Sequence, residues 1–346
     1  MKIGHSGIDM GNSFTARYFV HALALLAVTL HTGCSSASLK EQPPEKSLSR
    51  ALPPAATGVL ADIAKAIEAG SGADYSGFRV LDSSEDGLRW RLALIDSATT
   101  SLDIQTYLWY PDYSGSLILE RVILAAQRGV KVRIIVDDLI LQGKDQLIAN
   151  LHAAPNIEFG IFNPWEDRSS ILNRAGEMLA RMERLNTRMH DKLIVADGHA
   201  VIIGGRNIGD HYFGLSDAYN FHDTDLLGIG QIGRESGDMF DHFWNSEWVA
   251  TADALTTEPD QAVAKKQRRG LQERIQGATQ LQRFALQPRD WSDDFKVLED
   301  ELRLGRSKLV YDEAAREQIS QKMAGSMFNY FNIAEKELLV QNAYII

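Results

Sequence analysis

The sequence predicts an α/β fold, in which a mixed β-sheet is flanked by helices on both faces. Three observations support this prediction. Apolar runs of strand length alternate along the chain with segments whose apolar residues recur at helical spacing. Several of these runs are rich in Val and Ile, as strands buried on both faces are. Alternating strands and helices form βαβ units, and such units build a parallel or mixed sheet.

The elements of this sheet follow one another in order. "DGLRWRLALIDSA" (86–98) has helical spacing and leads into the β-rich "SLDIQTYLWY" (101–110). "SGSLILERVILAAQRGV" (114–130) is an amphipathic helix with Gly129 at the usual stop position, and the strand "KVRIIVDD" (131–138) follows it. Further strands are predicted at 156–162, 190–197, 200–205 and 224–230. Ligands of such sheets bind beyond the carboxyl ends of the strands.

Residues 1–34 are typical of a secretory signal. Lys2 and Arg17 precede a 12-residue apolar run, "FVHALALLAVTL", and about 20 apolar residues are needed to span a bilayer. Cys34 follows this run in a position that resembles the lipobox of bacterial lipoproteins. We therefore expect a protein of the bacterial cell envelope, lipid-anchored through Cys34 on the periplasmic side. The alternative is a cytoplasmic, membrane-associated protein with an ordinary N-terminal helix.

Composition divides most of the remaining chain into three segments. Residues 35–80 are expected to form a flexible tether, since Ser, Pro and Ala dominate its first part. Residues 81–250 contain the predicted strands and form a lobe. Residues 251–330 form a polar, helical inter-lobe segment that includes "KKQRR" (265–269), a cluster typical of a solvated helix face.

The final segment, 331–346, is predicted to be the first strand of a second lobe. "AEKELLVQNAYII" (334–346) aligns with "ATTSLDIQTYLWY" (98–110) at a constant offset of 236, and Gln341 then falls on Gln105. Each of the two segments follows a helical stretch. We therefore expect one complete lobe plus the start of a second, in a chain that is a fragment.

Charge and cysteine content narrow the function further. The formal net charge is −10, which argues against a protein whose main activity is gripping nucleic acid, because phosphate neutralisation needs a basic surface. One cysteine excludes an intramolecular disulfide. Because of the negative net charge, we expect no nucleic-acid partner.

One stretch, "RMHDKLIVADGHAVIIGGRN" (188–207), carries the chemistry. It combines H-x-K-x-x-x-x-D (His190, Lys192, Asp197) with G-G-x-N (Gly204, Gly205, Asn207). Residues i and i+2 of a strand share a face, so His190 and Lys192 project together. A neutral imidazole beside an ammonium group suits attack on a phosphate and a covalent phosphoenzyme. The glycines permit close approach of substrate or backbone, and the Asn207 amide can donate to a phosphoryl oxygen. The sequence contains no nearby metal-ligand cluster, and we expect neither metal nor cofactor.

These patterns resemble the signature of the phospholipase D superfamily, H-x-K-x-x-x-x-D followed by G-[GS]-x-N. The likeness extends over roughly residues 85 to 250, where "IQTYLW", "GVKVRIIVDD", "GGRNIGDHYFG", "FHDTDLLGIG" and "FDHFWNS" are similar to stretches of bacterial cardiolipin synthases, particularly type C. The resemblance implies a phospholipase D-like mixed sheet. It also implies a phosphatidyltransferase or phosphodiesterase.

The resemblance implies roles for individual residues. His190 is the nucleophile that forms a phosphohistidine, and Lys192 and Asn207 stabilise the phosphoryl oxygens. Asp223, in "FHDTD", corresponds to an acidic residue that orients the histidine. Asp197 is expected to be structural and to fix the turn between two strands.

Three further motif residues are assigned to substrate binding: Gly204, Gly205 and Arg206. Gly205 replaces the frequent serine, so no hydroxyl donor is expected at that position. Arg206 binds either an anionic substrate or a carboxylate of the core, and the sequence leaves both open. Asp137 and Asp138, at a strand end, either contact substrate or cap the next element.

Members of the superfamily commonly carry two signatures, of which one histidine attacks and the other protonates the leaving alcohol. This sequence contains one. We expect the second lobe to come from a missing C-terminal part or from a homodimer. The favoured substrate is a phospholipid, with phosphatidylglycerol as donor and either an alcohol or water as acceptor at a membrane surface. The alternatives are a nuclease of the same superfamily and an inactive envelope lipoprotein.

Overall fold

The computed structural model describes residues 40, 46–168, 176–177, 184, 187–313 and 322–339. The predicted signal segment, 1–34, and its Cys34 lie outside these residues, and both stay predictions.

Nine strands of the described residues form one mixed sheet. They are β1 Tyr75–Leu81, β2 Ser101–Thr106, β3 Lys131–Asp137, β4 Ile157–Phe162, β5 Leu193–Ala196, β6 Ala200–Gly204, β7 Asp225–Gly230, β8 Val249–Thr251 and β9 Arg303–Arg306. Their order across the sheet is β8-β4-β3-β2-β5-β6-β7-β1-β9. The neighbours β2, β3 and β4 are parallel, and the other pairs are antiparallel. The predicted α/β class with a mixed sheet is confirmed.

Helices cover this sheet on both faces. The helices of the described ranges are α1 Val59–Ser71, α2 Ser84–Ser97, α3 Tyr113–Gln127, α4 Asp145–His152, α5 Gln231–Asn245, α6 Gln261–Gly277, α7 Ser292–Glu301 and α8 Lys322–Asn332. Of these, α8 has no buried residue. Successive residues of β3 face opposite ways. Ile134 belongs to the core shared with α1 to α4, and Ile135 belongs to the core formed with Phe240 and Trp244 of α5. Burial on both faces explains why residues 134–136 of the strand are continuously apolar.

The helix ends follow from local chemistry. α2 begins after Ser83, whose hydroxyl accepts a hydrogen bond from the Asp86 N–H at 3.0 Å. α3 begins after Asp112, whose carboxylate accepts from the Gly115 N–H at 3.0 Å. Beyond α3, Gly129 has φ +99, a conformation that glycine adopts without a steric cost, and the chain turns into β3.

The predicted tether over 35–80 is wrong in its second half. α1 lies within it and β1 begins within it, and β1 is paired with β7 on one side and β9 on the other. Leu60, Ile63 and Ile67 are buried. These apolar residues recur at helical spacing. The prediction instead followed the Pro-rich composition of the residues just before them.

The C-terminal segments also differ from the prediction. The polar segment 251–330 packs on the lobe: Phe295 of α7 is fully buried and lies edge-on to Trp90, with ring centroids 5.4 Å apart, and β9 extends the sheet. In 331–346 the structure shows the end of α8 and no strand as far as residue 339. The predicted strand is wrong over these residues, and the remainder lies outside the described part of the chain. None of the described helices has the length and apolar character needed to cross a bilayer.

Candidate active site

Five chain segments meet at one edge of the sheet, called here the site edge. The parallel strands β2 and β3 end there, and antiparallel β5 begins there because Leu193 pairs with Gln105 of β2. β6 returns to the same edge, since Ile203 pairs with Leu193, and β7 starts beside Gly204. The topology therefore gathers the residues that follow β2, β3 and β6 and those that precede β5 and β7.

His190 lies on this edge with its side chain exposed. It precedes β5, which starts at Leu193, and so lies in the connecting segment rather than in the predicted strand. Its ring packs against Tyr107, with 4.2 Å between the ring centroids and the planes tilted by 33°. Partial burial, and then the charge of Lys192, hold the pKa of His190 below its ordinary value. The neutral, nucleophilic imidazole therefore dominates at neutral pH.

Lys192 shares the same tyrosine. Its Nζ lies 5.5 Å from the centroid of the Tyr107 ring and donates a hydrogen bond to the backbone carbonyl of His190. Burial lowers the pKa of Lys192, and the negative charges of Asp191 and Asp223 oppose that effect. His190 and Lys192 therefore both contact the ring of Tyr107, which is consistent with the prediction that their side chains project together.

Asn207 has an amide of fixed orientation. Its Oδ1 accepts from the backbone N–H of Leu108 at 3.1 Å, and its Nδ2 donates to the Tyr212 hydroxyl at 2.7 Å. Leu108 is the residue after Tyr107, so three of the four predicted catalytic side chains, His190, Lys192 and Asn207, contact one dipeptide. Neither of these two bonds uses the second hydrogen of Nδ2, and a donor of this kind suits a phosphoryl oxygen.

The two glycines of the motif accommodate protein rather than ligand. A Cβ on Gly204 would lie 2.6 Å from Cα of Asp225 and 2.7 Å from the Thr224 carbonyl oxygen. A Cβ on Gly205 would lie 2.0 Å from the carboxylate of Asp223. Close approach of β6 and β7 explains both glycines, and the latter contact explains why serine is absent. Their assignment to substrate binding is not supported by this geometry.

Asp223 was predicted to orient the histidine ring, but its hydrogen bond goes elsewhere. It is half-buried, and its carboxylate accepts a hydrogen bond from the Thr224 N–H at 3.0 Å. Within the described residues no hydrogen bond joins it to His190, whose ring is held by Tyr107 and by a hydrogen bond to the Arg188 backbone. Asp223 acts on the site through its charge, which opposes the lowering of the Lys192 pKa.

Arg206 is not a substrate ligand, contrary to its assignment. Its guanidinium is fully buried and donates to Asp225 at 3.1 Å and to the carbonyl of Leu81 at 2.8 Å. Arg91 donates to the same Asp225 oxygen at 2.7 Å. The two arginines hold the pKa of Asp225 below its usual value although burial opposes this. Of the two roles that the sequence left open, the structure supports the core carboxylate.

Asp197 lies at the opposite end of β5 from the site edge. Its carboxylate accepts hydrogen bonds from the backbone N–H groups of Thr99, Thr100 and Ser101 at 2.7–3.0 Å and from both threonine hydroxyls. These bonds tie the β5–β6 turn to the segment before β2. These contacts support the structural role expected for Asp197, which stays a prediction.

Two further residues belong to the site. Tyr107 was not assigned a role from the sequence, although it follows β2 at the carboxyl end where ligands bind. Asp137 is fully buried at the end of β3, pairs with Arg188 at 3.0 Å and accepts from the Met189 N–H at 3.1 Å. Burial raises the pKa of Asp137 to about 6. Asp137 therefore positions the segment that leads into His190, a role different from either alternative considered above.

Asp138 points away from this segment. It pairs with Arg168 and accepts from the Trp165 N–H at 2.8 Å, and burial raises its pKa to about 6. It does not cap α4, and neither of these contacts joins it to the segment that leads into His190. Among the described residues, no group of three or more His, Cys, Asp or Glu side chains has the arrangement of a metal site.

Comparison with known proteins identifies the domain that carries this site. Residues 92–234 match the family model described as "Cardiolipin synthase, PLD-like domain". The chain is 36% identical over 242 residues to an uncharacterized protein of Helicobacter pylori. This alignment covers 69% of this chain and 48% of that protein. It is 36% identical over 186 residues to cardiolipin synthase C of Escherichia coli, with 54% of this chain and 39% of that protein covered. The chain thus spans less than half the length of these curated relatives.

Solved structures show weaker similarity. NucT from Helicobacter pylori aligns with a TM-score of 0.36 at 19% identity and covers 50% of this chain and 97% of that one. A phosphatidylserine synthase of Haemophilus influenzae aligns with a TM-score of 0.40 at 17% identity and covers 62% of this chain and 47% of that one. Neither similarity bears on the chemistry of the site.

Proposed function

This chain carries a domain of the phospholipase D superfamily, and from that premise we propose that it is a phosphodiesterase or phosphatidyltransferase acting on phospholipids through a phosphohistidine. The observation that carries the proposal is the Tyr107–Leu108 dipeptide. Its ring contacts both His190 and Lys192, and its backbone fixes the Asn207 amide. A neutral nucleophile, a cation and an amide donor thus share one exposed edge.

The proposed reaction has two steps. An imidazole nitrogen of His190 donates its electron pair to phosphorus, a P–N bond forms, one P–O bond breaks, and the departing oxygen takes up a proton. Lys192 and Asn207 stabilise the charge that grows on the non-bridging oxygens. An alcohol or water then attacks phosphorus, loses its proton, and the P–N bond breaks. With phosphatidylglycerol as donor and acceptor the product is cardiolipin, and with water it is phosphatidic acid.

The proton for the leaving alcohol needs a general acid, which contributes about two to four orders of magnitude in rate. This sequence has one H-x-K-x-x-x-x-D signature. We propose that a second signature supplies the acid, either in the remainder of a longer chain or in a second copy of this one. Activity toward natural phosphodiesters then depends on that second lobe.

Three observations support a lipid rather than a nucleic acid. Relatives of this chain include proteins named as cardiolipin synthases, and the net charge of −10 disfavours a polyanion. Beside the site, Tyr219 is 57% and Phe221 45% exposed, and Phe221 packs on Tyr212, the partner of Asn207. Aromatic side chains of this kind are enriched where proteins meet a membrane surface.

Substrate class is tested by offering the purified chain two phosphodiesters. One reaction contains phosphatidylglycerol vesicles with labelled glycerol head groups, and the other contains labelled single-stranded DNA. If a second copy of this chain supplies the acid, we expect glycerol release that is lost in His190→Ala and retained in His242→Ala, an exposed histidine outside the motif. DNA cleavage without lipid turnover would favour the nuclease. Turnover of neither, together with no adduct on His190 from an activated diester, would favour an inactive lipoprotein.

We also propose that the protein is anchored to the periplasmic face of the envelope through a lipid on Cys34. The support is the sequence pattern alone. Mass spectrometry of the membrane-extracted protein is expected to show an acylated N-terminal cysteine that Cys34→Ser removes. An unprocessed N-terminus in a soluble fraction would contradict this localisation.

A further inference from the structure

A cavity of about 1010 Å³ lies between α3, α4 and α6 on one face of the sheet. Its size and its mainly apolar lining are those of small-molecule binding sites. The apolar wall comes from three helices and β4. It includes Leu119, Ile123, Ile148, Leu151, Phe159 and Leu271.

The helix that covers this cavity, α6, leaves part of the apolar lining exposed to solvent. Of the 17 residues of α6, Ile275 is buried. Val263, Ala264 and Leu271 line the cavity and are half-buried. An apolar wall left open to water in this way marks a binding groove.

The rim of the cavity is cationic. Lys144, Lys265 and Lys266 line it, and none of them has an ion pair in the described part of the chain. Arg274 also lines it and donates to the Pro111 carbonyl at 2.7 Å. Three uncompensated lysines around one opening run against the net charge of −10 for the whole chain. They include two residues of the "KKQRR" cluster that the sequence assigned to a solvated face.

The cavity begins near the site edge. Trp109 and Tyr110 line it, and they follow Tyr107, the platform of His190, by two and three residues. The Tyr110 N–H donates to the Ile208 carbonyl at 2.9 Å, one residue beyond Asn207. The ring of Tyr110 lies edge-on to His211 at 5.3 Å between centroids. One segment of chain therefore separates the cavity from the site.

We propose that this cavity binds a long acyl chain whose anionic head group is held by Lys144, Lys265 and Lys266. The apolar wall takes the chain and the lysines take the charge. This site goes beyond the proposed reaction, because binding here requires no attack by His190. A phospholipid and a free fatty acid share this chemistry, and the experiment separates them.

The test is calorimetric titration of the full chain with three monomeric probes: dioctanoylphosphatidylglycerol, palmitate and dioctanoylphosphatidylcholine. We expect saturable binding of one or both anionic probes, with the tighter one identifying the source. We expect the zwitterionic probe to bind about tenfold more weakly. Equal binding of all three, or binding that does not saturate, would overturn the proposal.

Two variants locate the site. Ala264→Trp fills the cavity and is expected to weaken binding of the anionic probes at least about tenfold. Its control is Ala262→Trp, on an exposed residue of α6 outside the lining. Lys266→Glu is expected to weaken the anionic probes severalfold and to leave the zwitterionic probe unchanged. Its control is Arg269→Glu on the same helix, also outside the lining.

Lys266→Glu changes an exposed residue and so keeps the test valid if Ala264→Trp does not fold. Wild-type binding by Ala264→Trp or by Lys266→Glu would place the probes elsewhere and contradict the proposal. His190→Ala is expected to bind like wild type. The failure of the acyl site and the failure of the proposed catalysis are therefore read from different measurements.

Discussion

Asp197→Asn is expected to destabilise the fold and to leave the phosphoryl chemistry intact, although Asp197 belongs to the motif. Its carboxylate accepts from three backbone N–H groups and two hydroxyls. A hydrogen bond to a charged group contributes about 1.5–3 kcal/mol, and a buried donor without a partner costs about 1–3 kcal/mol. Asn keeps one acceptor oxygen and tolerates the φ of +56 at this residue.

We therefore expect Asp197→Asn to lower the free energy of unfolding by about 2–4 kcal/mol. Asp197→Ala loses both acceptors and is strained at positive φ, so its loss is larger, about 4–5 kcal/mol. Urea unfolding followed by circular dichroism measures both, with the exposed Asp217→Asn as the control. The phosphorylation assay described below is then run on the folded fraction. An Asp197→Asn variant as stable as the control but without phosphorylation would refute the structural role.

Three further predictions concern charge. Burial raises the pKa of Asp137 from 3.8 to about 6, so the folded state binds the proton more tightly than the unfolded state; the stability this confers is present at low pH and is lost as pH rises through about 4 to 6. Asp137→Asn should remove this fall from urea midpoints measured at each pH, and an identical profile would contradict the assignment. Lys192→Gln removes a positive charge that lowers the pKa of His190. The pH below which the phosphorylation rate falls should therefore be higher in this variant. An unchanged pH profile would show that the Lys192 charge does not affect His190. Arg206→Met leaves Asp225 with one arginine fewer in a buried network and should cost about 3–5 kcal/mol in unfolding free energy; a change near zero would place Arg206 outside the core.

The nucleophile, the cation and the amide were predictable from the sequence for a local reason. β5 and β6 form a hairpin, so a fixed spacing along the chain becomes a fixed spacing at the site edge. His190, Lys192 and Asn207 therefore needed no long-range information. The α/β class was predictable for a similar reason, because burial on both faces leaves a continuous apolar run at residues 134–136 of β3.

The residues that were assigned wrongly or left unassigned depend on distant partners. Arg206 pairs with Asp225 in a core completed by Arg91, which lies over a hundred positions earlier in the chain. Tyr107 is a site residue only because β5 is inserted beside β2. Spacing within one motif carries no information on either contact. The tether was placed wrongly because composition over 35–80 was averaged across a boundary near α1.

The central claim is that His190 attacks phosphorus, and an activated diester tests it without the second lobe. Bis(p-nitrophenyl) phosphate releases p-nitrophenolate, a leaving group stable enough to depart without a general acid. The account predicts a burst of about one p-nitrophenolate per folded chain, with the phosphoryl adduct mapped by mass spectrometry to His190. The burst should be absent from His190→Ala and present in His242→Ala. A burst of equal size in His190→Ala, or an adduct on another residue, would contradict the account.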